Sequence, residues 1–345
     1  MSFNKTAYDK LIRPDGQPQY GCFTQSMKEI NHADFDYRTV MDRPASRLQK
    51  HFGLNQFQFL TVQSDRYVLA CAIADVRYAA TAFIYLFDSE SRTMSTQRFT
   101  QPMGLRCQLS NQPHNGRSYF IKGRNQFEII ATDAPNQYHL TARLNKQIAV
   151  DLVLTQPEQL QPLAVCTRAG YNGWTFTEKL TGLTASGVIA WGGRNITVES
   201  DNFLGSSDWS CGYMRRETAW NWASLCGTDN AGRTVGLNLA AGVNETEYNE
   251  NGFWIDGKLN RVGPAIFQFN RFNRMQPWTI TTENSQVDLK FIPEGNFNEK
   301  VNAVFVASNF SQLPGKYSGT LTCDSGKKIV LERVTGLAED HYAKW

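Results

Sequence analysis

Residues 56–75 read QFQFLTVQ-SD-RYVLACAIAD, two runs of β-branched, aromatic and aliphatic residues around a Ser64-Asp65 turn. Neither run is long enough for a buried helix, and the turn residues between them mark a hairpin. The same grammar recurs along the chain. SYFI-KGRN-QFEIIAT turns at Gly123, SGVIAW-GG-RNITVES at Gly192-Gly193, and GTLTC-DSG-KKIVLERV at Asp324 to Gly326. GFWI-DG-KLNRV turns on Asp256-Gly257, a dipeptide suited to a type I′ turn because both central residues need positive φ. Short strands and tight turns with no βαβ alternation predict an antiparallel all-β protein with few short helices, the best candidate spanning about residues 43 to 51.

A chain of 345 residues suits two domains. The stretch TQPEQLQPLAV, 155 to 165, carries two prolines and lacks strand alternation. It divides the chain into 1–160 and 161–345, and each part holds enough strand candidates to close a barrel or half-barrel. Closure removes exposed strand edges.

Composition excludes several functions. Hydrophobic residues make up 41% and the formal charge is +3, with Lys and Arg spread out, so no nucleic-acid footprint is expected. No apolar stretch is long enough to span a membrane, and the N-terminus has no secretory apolar core, so a cytoplasmic location is expected. Seven cysteines are scattered without a CxxC pair, and the five histidines are far apart, so no metal site is predicted. No G-x-G-x-x-G, P-loop or G-x-S-x-G pattern occurs, and no cofactor is expected.

Tryptophan separates the two parts. None occurs before Trp174, while Trp174, Trp191, Trp209, Trp220, Trp222, Trp254 and Trp278 crowd one region and Trp345 ends the chain. Period two in TAWNWAS puts Trp220 and Trp222 on one face and Asn221 on the other. In DWSCGYM, Asp208 shares a face with Ser210 while Trp209 and Cys211 point away. Asn238 in VGLNLA faces opposite to Leu237 and Leu239. Either the Trp face or the Asn face would line the barrel interior. Buried Asn is costly when unpaired, so an inward Asn marks a ligand site or a hydrogen-bond network. Tryptophan in strands is most often core, and the polar run 244–251 reads equally as a loop over a barrel mouth.

The runs NGWTFTEKLTGLTASGVIAWGGR, DWSCGYMRRETAWNWAS and VGLNLAAGVNETEYNENGFWIDGKLNRVGP resemble the bacterial DUF2804 family, a domain of unknown function. YGCFTQSMKEINHADFDYR, VLACAIADVRYAATAFIYLFD and GKYSGTLTCDSGKKIVLERVTGLAEDHYAKW are similar to its remaining parts. The family is distantly similar to the carotenoid hydratase and AttH-like group. That resemblance implies two consecutive lipocalin-like barrels and transfers no activity.

Two functions compete. The first is binding of an apolar or amphipathic small molecule, such as a lipid, isoprenoid or polyketide, in the C-terminal barrel. Its lining would come from Trp209, Tyr213, Arg216, Trp220, Asn221, Trp222, Asn238, Asn244, Glu245, Asn251 and Trp254. The second is a hydratase, isomerase or cyclase acting on such a molecule without metal or nucleotide. There Asp208, buried beside Trp209 with a raised pKa, donates the proton. The Trp faces steady a developing cation, and Glu245, Glu250, Glu339 or His341 is the base. Saccharide binding on Trp platforms is a weaker third reading. Ligand identity and oligomeric state are not legible in the residues.

Overall fold

The computed structural model describes residues 9–243, 247–303 and 306–345. Within them the strands form two antiparallel sheets, of 14 and 10 strands, each curled into a half-barrel. The predicted hairpins form at each of the five turns. Asp256 and Gly257 both take positive φ, 50° and 80°, as the turn requires. The helix spans Arg47–Gly53, four residues later than its predicted start, because Ser46 caps it by accepting from the Gln49 N–H.

In the first sheet the main path runs Thr93–Pro102, Ala79–Asp88, Tyr67–Asp75, Asn55–Gln63, Leu204–Tyr213, Gly173–Trp191, Ile148–Thr155, Asn136–Leu144, Asn125–Asp133, Gly116–Lys122, Cys107–Gln108. The second runs Lys258–Arg261, Gly252–Ile255, Thr234–Ala241, Glu217–Thr228, Lys328–Lys344, Val306–Thr322, Val287–Pro293, Trp278–Thr282, Ala265–Gln268. The sheets therefore change between Tyr213 and Glu217. A division at residue 160 would separate Leu163–Ala169, Gly173–Trp191 and Leu204–Tyr213 from the sheet they belong to. The proline-rich stretch 155–165 is a crossover inside the first sheet, linking two strands that both pair with Gly173–Trp191.

Alternation decides where each side chain goes. Leu60 and Val62 fill the first half-barrel with Phe120, Phe127, Leu140 and Leu152. Leu225, Leu237, Trp278, Phe291 and Tyr317 fill the second. A third apolar layer lies between the sheets, where Phe59, Tyr85 and Phe87 meet Trp222, Phe297, Phe310 and Leu337. The arm before residue 55 packs Leu11, Ile30 and Phe35 against Trp174, Trp209 and Tyr213 at one end of the first half-barrel. Gly236 sets how closely the sheets approach, since a Cβ there would lie 2.8 Å from Thr181 Cγ2.

The first half-barrel is not the plain scaffold its composition suggests. His114 reaches inward to ion-pair with the buried Glu178, and the Tyr138 hydroxyl lies 3.3 Å from His114 Nδ1. Burial disfavours charge on His114, but Glu178, with Asp133 farther off, outweighs it and raises its pKa above 6.5. A raised folded-state pKa adds stability below 6.5 that is lost as pH rises through the higher value. The melting-temperature gap between wild type and His114→Gln should therefore be widest in mild acid and narrow as the pH rises above 6.5 through the higher folded-state value. A gap constant with pH would contradict the pairing.

Candidate acid–base site at the seam

Eleven residues at the start of the strand Gly173–Trp191, 173–183, are buried on both faces. Phe176 and Glu178 point into the first half-barrel, and Thr177 and Lys179 point to the seam. Antiparallel register places Lys179 opposite Asp208, and Asp208 opposite Phe59 on its other side. The Lys179 ammonium contacts Asp208 Oδ2 and lies 3.2 Å from Glu250 Oε2, an ion pair without hydrogen-bond alignment. Glu250 arrives from the second sheet's side, just before Gly252–Ile255. The three side chains are between 7% and 13% exposed.

Two carboxylates thus share one ammonium in a poorly solvated place. Burial pushes the Asp208 carboxyl up, Lys179 pulls it down, and Glu250 and Glu339 push it up again; the sum is a raised pKa. Burial opposes the charge on Lys179, yet Asp208 and Glu250 together hold its pKa above the ordinary value. The cluster therefore keeps the lysine charged and makes Asp208 a weaker acid than an ordinary aspartate.

A small cleft of about 40 Å³ adjoins this cluster, lined by Val165, Thr167, Thr177, Ala240, Gly242, Val243, Tyr248, Asn249 and Glu250. It has room for on the order of three water molecules. Glu250 faces it directly. Asp208 reaches it through two hydroxyls: Ser210 Oγ donates to Asp208 Oδ1 at 3.4 Å, and Thr177 Oγ1 lies 2.8 Å from Ser210 Oγ. Its lining combines apolar side chains with hydroxyl, amide and carboxylate groups.

A second polar cluster lies in the same seam. Glu339 accepts from Trp220 Nε1 at 2.7 Å and from Gln312 Nε2 at 2.9 Å, and Tyr85 donates to Gln312 Oε1 at 2.6 Å. Both Glu339 oxygens are occupied, so it acts on Asp208 as a charge and does not face the cleft. His341 is 3.0 Å from Ser308 Oγ and packs tilted against Trp220 and edge-on to Phe310. It too lies outside the cleft lining.

The sequence-predicted residues scatter. Trp222 donates to Asn238 Oδ1 at 2.8 Å, and Asn238 donates to the Glu250 carbonyl at 2.7 Å, so these two brace the segment that carries Glu250. Trp220, Trp222 and Asn238 share the seam face. Asn221 alone turns the other way, toward Asp340 at 3.2 Å, so the choice between a Trp face and an Asn face does not arise. The Asp208 side chain is only 13% exposed, but Trp209 stands on the opposite face of the strand, against Phe176. Tyr213 packs with Phe35, Tyr37 and Trp174. Trp254 is core and donates to the Gln161 carbonyl at 2.7 Å. Asn251 braces backbone, accepting from Ala240 and donating to Gly263. Arg216 is exposed near Tyr78. Asn244 and Glu245 lie outside the described residues.

Sequence reasoning missed Lys179 and Thr177. The signal was TFTEKLTGL, where a Glu-Lys pair interrupts an otherwise strand-like run. Among the described residues no group of three or more His, Cys, Asp or Glu side chains is placed to hold a metal ion, and no helix is long and apolar enough to cross a membrane.

The model of DUF2804, a domain of unknown function, matches residues 4–345. No curated protein matches in sequence. Solved structures share the fold. A protein assigned as AttH from Nitrosomonas europaea superposes with a TM-score of 0.52 at 11% identity, over 83% of this chain and 91% of that one. Kievitone hydratase from Nectria haematococca gives 0.53 at 11%, over 84% and 89%. CghA with Sch210972 gives 0.55 at 8%, over 97% of each chain. At such identities the likeness establishes architecture, two lipocalin-like halves in sequence.

Proposed function

The chain belongs to the DUF2804 family, whose name carries no activity, and we propose that it is a proton-transfer enzyme working at the seam between its sheets. The substrate class is an unsaturated amphipathic small molecule, and the reaction is hydration or isomerisation of its double bond. One observation carries this reading. Lys179, Asp208 and Glu250 converge beside a cleft, and burying three charges costs several kcal/mol per ion before pairing repays it. Perturbed titratable groups beside a cleft are a mark of acid–base sites.

In hydration, protonated Asp208 releases its proton through Ser210 and Thr177 to one alkene carbon. The π pair forms that C–H bond, and the other carbon becomes electron-poor. A water oxygen in the cleft bonds to it and gives its extra proton to Glu250. Water has then been added. The site is reset when that proton returns from Glu250 to Asp208, the two carboxylates being held together by Lys179. In isomerisation Glu250 instead removes a proton from a neighbouring carbon. The shared fold of kievitone hydratase is compatible with such chemistry.

Binding without chemistry is the second reading, favoured by the aromatic seam of Phe59, Phe83, Phe297 and Phe310. A site inside the C-terminal half-barrel has less support, because Trp278, Phe291 and Tyr317 fill that interior. The discriminating experiment incubates the protein in deuterated water with a panel of unsaturated amphipathic compounds and reads deuterium uptake by mass spectrometry. Enzyme-dependent uptake into at least one compound is expected. Uptake at the buffer rate throughout, with saturable binding, would replace the enzyme by a binding protein.

A further inference from the structure

A second concavity lies on the outer face of the first sheet, far along the strands from Asp208. Its floor follows from register. Arg143, Ala149, Ala190 and Asn195 stand in one row across four neighbouring strands. Two small alanines at the centre leave a trough between longer side chains. The turns at the strand ends raise its walls, and the groove has a volume of about 1130 Å³. Arg124, Arg143, Lys146 and Arg194 all line it, no carboxylate does, and the remaining polar side chains of the lining are neutral amides. Arg194 also reaches Asp88 at 3.4 Å. The side chains of Arg124, Arg143 and Lys146 have no hydrogen-bond or ion-pair partner among the described residues. Three unpartnered cations gathered around one trough repel one another, and an anion relieves that repulsion.

We infer that this groove binds a small polyanion carrying two or more phosphate or carboxylate groups. Size follows from the next row on the same face, where Glu128 and Asp151 stand beside Thr141. There Arg117 is paired with Glu128 and His139 with Asp151, so the strip of unpartnered cations ends after one row, and an extended nucleic-acid backbone would find no free cation beyond it. Arginine suits the role because its planar fork grips two oxygens of one phosphate at once. The site is separate from the seam, and its occupancy does not depend on the seam's chemistry.

The test is calorimetric titration of the full chain with inorganic pyrophosphate, without metal, in low salt. The expected result is one site per chain, weakened about tenfold by Arg143→Ala and by Arg124→Ala. Both side chains are exposed, so the variants should keep the wild-type melting temperature. Binding should also weaken as salt rises. No measurable heat, or binding that neither variant weakens, overturns the inference. Tighter binding of a single-stranded oligonucleotide than of pyrophosphate at the same residues would overturn it in favour of a nucleic-acid surface.

Discussion

Replacing Lys179 by Met is expected to destabilise the folded chain by about 3–5 kcal/mol at neutral pH. The methionine fills nearly the same volume, so packing changes little. What changes is charge. Asp208 and Glu250 are left facing each other in a site where each side chain is at most 13% exposed. Without the ammonium they must hold a proton or separate, and both cost free energy at neutral pH. The loss should shrink as pH falls, because protonation removes the repulsion that the lysine had cancelled. Chemical denaturation near neutrality and again in mild acid reads both effects. A loss under about 1 kcal/mol at neutral pH would mean that the three groups are not paired as described.

Asp208→Asn should behave in the opposite way. The amide has the shape of the carboxyl: its oxygen can still accept from Lys179, while its NH2 can donate to Ser210 Oγ. One of two carboxylates competing for one ammonium is gone, so stability should change by less than about 1 kcal/mol. The proton that the proposed mechanism delivers through Ser210 and Thr177 is lost with it. Loss of a positioned general acid typically costs about 10²–10⁴ in rate. With a substrate identified by deuterium uptake, turnover should fall by that factor in a fully folded variant. Turnover at the wild-type rate would remove Asp208 from the mechanism.

These expectations show how much of the site was legible beforehand. The hairpins were, because turn dipeptides such as Asp256-Gly257 dictate local backbone and need no tertiary context. Alternation correctly set Asp208 opposite to Trp209 within one strand. It could not show what lay beyond each face. The segment 173–183 is buried on both sides, one against the first half-barrel core and one against the second sheet. Polar and apolar residues therefore occur on both faces, and the period-two signal that would single out Lys179 is blurred. Its meeting with Asp208 depends on strand register, and its meeting with Glu250 on the packing of two sheets. The change of sheet at 214–216 has the same character. Met214, Arg215 and Arg216 contain no glycine or proline, whereas the conspicuous break at 155–165 only crosses over within one sheet. The first half's His114–Glu178 pair was hidden because its partners are 64 residues apart.

The central claim is that the seam holds a proton on Asp208 more tightly than water would. Carbon-13 nuclear magnetic resonance of aspartate-labelled protein, with Asp208→Asn identifying the signal, measures it directly. The account predicts a titration midpoint above the ordinary 3.8, moving down in Glu339→Gln, since the Glu339 charge helps to hold it up. A midpoint at or below 3.8, unmoved by the Glu339 substitution, would contradict the account.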